Sequence, residues 1–123
     1  MPRVMVVDDD PDIRAGLERA LASTGYEVET AVDGLDALLR MRDRPPDALL
    51  TDVLMPRADG WSLIRSCRVD PRLAGVRVLV MSGAPDMRAI AVQQGVDWFL
   101  LKPFTWAEAV IAIGLVLQGH HER

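Results

Sequence analysis

The sequence predicts an α/β domain, a parallel sheet wound on both faces by helices. Three observations point there. Five short apolar runs punctuate the 123 residues, and their aliphatic or β-branched content suits strands buried on both faces. Stretches with apolar residues at helical spacing separate them. Strands and helices that alternate in this way, joined by right-handed crossovers, build a parallel, doubly wound sheet.

The first run is Val4–Val7. Asp10 follows as N-cap of a helix with Pro11 at its first position, Ile13, Leu17, Ala20 and Leu21 on one face, and Gly25 after its end. A weaker run covers Tyr26–Ala31. Leu35, Leu38 and Leu39 mark the second helix, which stops before Pro45-Pro46. Ala48–Thr51 is the third strand, and Asp59-Gly60 reads as a turn or cap before a helix marked by Leu63, Ile64 and Cys67. The fourth strand is Val76–Met81. Met87, Ile90 and Ala91 mark a fourth helix ending near Gly95, and Trp98–Leu101 is the last strand. Thr105 and Glu108 form a capping box that opens a final helix running to about Gln118.

Composition narrows the class. Hydrophobic residues make up 50% and charged residues 26%, which excludes a disordered chain, a collagen and a disulfide scaffold. Lys and Arg number 14 against 18 Asp and Glu, a net charge of −4, so no basic field invites nucleic acid. Cys67 is the single cysteine and can build neither an intrachain disulfide nor a Cys-based zinc site; it reads as a small buried apolar residue. The apolar runs are too short for a signal peptide or a membrane span. The expectation is one soluble, intracellular domain with neither nucleic acid nor membrane as direct partner. Thirteen of the fourteen cations are arginine, and the only lysine is Lys102.

Four apolar runs end in a reactive group. The first meets Asp8, Asp9 and Asp10, the third Asp52, the fourth Ser82 and the fifth Lys102. Ligands of open α/β sheets bind outside the carboxyl ends of the strands, so these groups meet if their strands are neighbours. Two carboxylates at ~4 Å repel by about 4 kcal/mol at an effective dielectric of 20. A hard cation such as Mg²⁺ offsets that, and Lys102 and Ser82 add an ammonium and a hydroxyl. These are the parts that stabilise a phosphoryl group in transfer, with one carboxylate able to form an acyl phosphate.

The segments VMVVDDD, LLTDVLMPRADG, VLVMSGAP and LLKPF stand in this order, and with them the sequence resembles the receiver domain of two-component response regulators, the chemotaxis regulator among them. The resemblance spans nearly the whole chain. It implies a flavodoxin-like sheet of order 2-1-3-4-5 with five helices, a receiver over residues 1–118 and a tail over 119–123. It implies Asp52 as phosphoryl acceptor. Mg²⁺ would be held by Asp9, Asp52 and the Leu54 backbone carbonyl, with Asp8 acting through water. Ser82 would bond a phosphoryl oxygen, Lys102 would pair with the acceptor and then the phosphate, and Lys102–Pro103 would be a cis peptide. Phe99 falls at the switch aromatic.

The resemblance further implies a cytoplasmic protein with a histidine kinase or phosphotransfer protein as donor. A downstream protein or a second copy would bind the face of the fourth helix, fifth strand and fifth helix. The output would be binding, so the chain is not an enzyme beyond assisting its own phosphorylation and dephosphorylation. Two rival readings exist. An aspartyl-nucleophile phosphatase needs a further acid two residues after the nucleophile, where Leu54 stands, and a cap insertion. A phosphorylation-independent interaction module would not need the full set of pocket residues.

Other residues have plain readings. Asp10 is explained by capping, and Arg57, after Met55-Pro56, by a solvated charge. His120-His121 reads as a polar tail without metal. Trp98, Phe99, Phe104 and Trp106 bracket Lys102, much of which is packing. Leu54 and Ala84 offer no polar group to orient water, which suggests a long-lived phosphorylated form. Ala107–Leu117 carries Glu108 as its only charge, so Val110, Ile111 and Leu115 cannot all point inward with Ala109, Ile113 and Val116. An exposed apolar face of this kind marks an interaction site.

Overall fold

The structure, a computed structural model, describes residues 1–54 and 59–121. Strands and helices alternate: β1 (Arg3–Val7), α1 (Pro11–Ser23), β2 (Glu27–Ala31), α2 (Gly34–Asp43), β3 (Ala48–Asp52), α3 (Gly60–Val69), β4 (Arg77–Ser82), α4 (Met87–Gln93), β5 (Trp98–Leu101) and α5 (Trp106–Leu117). The five strands form one sheet, all parallel, in the order β2-β1-β3-β4-β5. That is the fold class and strand order expected.

Strand periodicity divides the core between two helical layers. Val4 and Val6 of β1, Leu50 of β3, Leu79 and Met81 of β4 and Leu100 of β5 pack with Leu17 and Leu21 of α1 and with Ala109, Ile113 and Val116 of α5. Their neighbours Met5, Val7 and Leu49 face Ala37 and Met41 of α2 and Leu63 and Cys67 of α3. Val78, Val80 and Phe99 meet Ile64 of α3 and Ala91 of α4 on that same side. Burial pushes the Cys67 thiol up to about 11, as an inert core group requires.

Caps fix where the helices begin after the strands. Asp10, Asp33 and Asp59 accept from the backbone N–H of Asp12, Asp36 and Ser62, and Thr105 and Glu108 form the capping box. Gly25 and Gly95 take positive φ after α1 and α4, where a side chain would be strained.

Three local readings change. The fourth strand is shifted one residue toward Ser82, which puts that hydroxyl inside the ladder rather than after it. In α2, Leu35 and Leu39 are exposed and the inward stripe is Gly34, Ala37 and Met41, because the Asp33 cap sets the helix rotation. The tail is not wholly solvated. After α5, Gly119 at φ +93° turns the chain, and His121 Nδ1 lies 2.9 Å from Oδ1 of the buried Asp97, whose other oxygen accepts from the Val78 N–H.

The weak apolar signal of β2 also has a cause. It is an edge strand, half-buried except at Ala31, and Glu27 and Glu29 on it pair with Arg3, Arg40 and Arg44. In α5, Ala109, Ala112, Ile113 and Val116 are buried while Ile111 is 61% exposed, so the helix does carry surplus apolar surface. Among the described residues no helix is long and apolar enough to cross a membrane.

Two glycines permit close approach, and they should respond differently to alanine. A Cβ on Gly60 would overlap the Asp52 carbonyl oxygen and lie 2.8 Å from Val53 Cα, both backbone atoms. A Cβ on Gly16 would overlap only the ring of the half-exposed Trp106. Gly60→Ala should therefore lower unfolding free energy by about 2 kcal/mol in denaturant titration, with Gly16→Ala costing clearly less.

Candidate functional site

Asp8 is the first residue beyond β1 and is fully buried, while Asp9, next to it, is exposed. Asp52 is the last residue of β3 and Ser82 the last of β4, both buried. Lys102 follows β5. Because β1, β3, β4 and β5 are successive neighbours, their carboxyl ends share one rim. The chain reverses direction across the sheet at β1, from which one crossover leads to β2 and the next returns to β3. A crevice opens at such a switch point.

One oxygen each of Asp8, Asp9 and Asp52 lies within 4.8 Å of the others. Lys102 Nζ donates to Asp8 Oδ2 at 2.9 Å and to Asp52 Oδ2 at 3.1 Å. The remaining oxygens of those two groups also have donors: the Asp10 N–H reaches Asp8 Oδ1 at 2.9 Å, and the Leu54 N–H reaches Asp52 Oδ1 at 3.2 Å. The Lys102 N–H donates to the Ser82 carbonyl at 2.8 Å, and the Lys102–Pro103 peptide is cis, as expected. Ser82 Oγ accepts from the Ala84 N–H at 3.1 Å.

The electrostatics follow from burial and count. Burial pushes the Asp8 carboxyl above its ordinary value, only partly opposed by the Asp10 N–H and by Lys102. Burial alone would lower Lys102. Its hydrogen bonds to Asp8 and Asp52, and their charges, outweigh that and hold the amine above its usual range. Three carboxylates against one ammonium still leave negative charge in excess. A hard divalent cation fits this donor set, since carboxylate oxygens converge and Asp9 stands open to water.

The response regulator receiver domain family matches residues 4–113 of the chain. The chain belongs to this family. It is 42% identical over 117 residues to the transcriptional regulatory protein PrrA of Mycobacterium tuberculosis, covering 95% of the chain and 50% of PrrA. It is 40% identical over 106 residues to the sensor histidine kinase TmoS of Ectopseudomonas mendocina, covering 85% of the chain and 11% of TmoS. Among solved structures, the chemotaxis response regulator CheY4 of Vibrio cholerae superposes with a TM-score of 0.84 at 28% identity, over 95% of this chain and 98% of that one. The chain spans about half the length of PrrA.

In this receiver the structure brings Asp8, Asp9, Asp52 and Lys102 together and sets Ser82 beside them on the next strand. Phe99 lies elsewhere, buried on the α4 side, with the Arg88 guanidinium carbon 4.9 Å from its ring centroid. The Leu54 side chain is 65% exposed beside Asp52. Met55, Pro56 and Arg57 lie outside the described residues. Two contacts were not read from the sequence: the Lys102 bond to Asp8, and Arg14 Nη1 donating to the Asp8 main-chain carbonyl at 2.8 Å. A strand-end carbonyl that lacks a ladder partner leaves no mark in the residue types.

Two cavities flank the β5 end. One, about 360 Å³, is lined by residues including Arg88, Phe99, Leu101, Glu108 and Ile111, between α4 and α5. The other, about 370 Å³ and largely apolar, is lined by Ile13, Lys102, Pro103, Phe104 and Trp106.

The raised Asp8 titration fixes the sign of a pH effect. Folded Asp8 keeps its proton at pH values where the unfolded chain has lost it. Its stabilising contribution is therefore complete below the ordinary value of 3.8 and is lost as pH rises through the folded one. Asp8→Asn removes that loss. In urea unfolding with EDTA, the stability of Asp8→Asn relative to wild type should grow between pH ~4 and pH ~7. A flat or shrinking difference would contradict burial as the cause.

Proposed function

We propose that this receiver is a phosphorylation-operated switch that accepts a phosphoryl group on Asp52 from a histidine kinase or phosphotransfer protein. The observation that carries the reading is Lys102 Nζ bridging Asp8 and Asp52 beside the exposed Asp9. An Asp52 carboxylate oxygen attacks phosphorus, the donor's P–N bond breaks, and an acyl phosphate remains on Asp52. Asp9, Asp52 and the Leu54 carbonyl would hold Mg²⁺, with Asp8 acting through water; when bound, the cation offsets charge on the phosphoryl oxygens. Lys102 then turns from the carboxylate to a phosphoryl oxygen, and the Ser82 hydroxyl donates to another.

The modification adds about −1.5 to −2 charges if it resembles other phosphorylated side chains. It favours whichever arrangement of the Ser82 loop and Phe99 gives the phosphate better contacts, and that difference sets how far the equilibrium moves. The output surface is the α4–β5–α5 face, where Ile111 and Leu101 are exposed apolar residues beside the 360 Å³ cavity. A downstream protein or a second copy binds there. The output is binding, not turnover, and the working compartment is the cytoplasm.

Incubation with Mg²⁺ and acetyl phosphate, followed by intact mass, should show one added phosphoryl group. The adduct should be absent in EDTA and in Asp52→Asn. A wild type that never gains mass would favour a phosphorylation-independent interaction module. Decay of the same adduct should be slow, and faster in Leu54→Asn, which supplies a polar group to water. Sedimentation with a beryllofluoride mimic should show self-association that Ile111→Glu abolishes; a monomer in every state at high concentration would leave a different protein as occupant of the face.

A further inference from the structure

We propose that Arg14 is a positioning residue for the cation site: its guanidinium holds the Asp8–Asp9 peptide, and through it the Asp9 carboxylate. The inference rests on the reading of Asp9 as a metal ligand.

The pairings of β1 end at Val7, opposite Ala31 on one side and Thr51 on the other. The Asp8 carbonyl is the first beyond the ladder. Such a group, next to a fully buried side chain, must find a donor or cost free energy. Arg14 Nη1 supplies it at 2.8 Å, from a half-buried position one turn into α1. The helix start is itself tied to the same turn. Asp10 caps it, Pro11 is its first residue, and the Arg14 N–H donates to the Asp10 carbonyl at 3.1 Å.

The Asp8 carbonyl and the Asp9 N–H belong to one planar peptide unit. Fixing that oxygen fixes the plane, and the plane sets where the Asp9 Cα sits and where its side chain leaves the backbone. The other two acids are placed through their carboxylates: Asp8 by Lys102 and the Asp10 N–H, Asp52 by Lys102 and the Leu54 N–H. Asp9 is exposed, and its placement comes from the main chain that Arg14 holds. Removing a group that orients a metal ligand in this way typically costs about 10- to 100-fold in metal affinity.

The test is calorimetric titration of the full chain with Mg²⁺ alone, alongside thermal melts in EDTA. Arg14→Met should weaken Mg²⁺ binding by about tenfold, while the EDTA melt falls by no more than the loss of one main-chain hydrogen bond implies. Arg14→Lys, which keeps a donor of similar reach, should recover most of the loss. Arg19→Met, which removes the same charge from an exposed site on the same helix, should leave affinity unaltered. An Arg14→Met affinity within about twofold of wild type overturns the inference, and so does an equal loss in Arg19→Met, which would signal a general charge effect. Should Arg14→Met fail to fold, Arg14→Gln, too short to reach the carbonyl, decides by the same margins. A wild type that takes up no Mg²⁺ overturns the metal reading and the inference with it, whereas a wild type that binds beside an indifferent Arg14 variant overturns the inference alone.

Discussion

A single ammonium between two carboxylates is the interaction on which the arrangement depends. Asp8 is buried at the end of β1, and Asp52 stands at the end of the neighbouring β3. Two carboxylates this close in a partly dry crevice repel each other, and a positive charge from outside those strands offsets that repulsion. Lys102 supplies it from beyond β5. The order of the sheet, the length of the lysine stem and the turn after Leu101 all serve that one contact. Three carboxylates against one ammonium leave negative charge in excess, with Asp9 open to water, and a cation with retained waters is suited to such a place.

Much of this was legible in the residues. Strand ends could be found because apolar runs stop abruptly at Asp8, Asp52 and Lys102, and helix starts because Asp10, Asp59 and Thr105 are short polar groups at cap positions. Legibility failed where the deciding partner is remote or belongs to the main chain. Leu35, Leu38 and Leu39 look like a core stripe, yet only Leu38 packs against the core, beside the buried Ala37 and Met41, while Leu35 and Leu39 are exposed. His121 reads as tail until the fold brings Asp97 beneath it. Arg14 reads as one arginine among thirteen until the strand ladder is seen to stop one residue short of the carbonyl that it serves.

The helices divide their labour unequally. α1 buries Leu17 and Leu21 and turns Arg14 to the acid turn, so one helix serves both core and site. α5 is apolar on more sides than its core contacts use, and its surplus lies beside Phe99 and Leu101 rather than beside Asp52. β5 joins the two regions. Phe99 faces the α4 layer, Leu100 faces α5, and Lys102 leaves the strand end for the acids, all within four residues. Lys102 and side chains that wall the cavity beside α5 thus belong to one short stretch of chain.

The lysine economy of this chain has a practical side. Its one ε-amine sits between Asp8 and Asp52, held in the charged form by both. Reagents that acylate or alkylate primary amines need the neutral form and open access, and both are reduced on the only lysine side chain. The rate at which Lys102 is labelled is therefore a direct gauge of how firmly the two acids grip it. In a protein with many lysines that signal would be lost among exposed amines, whereas here surface charge is carried by guanidinium groups that such reagents pass by.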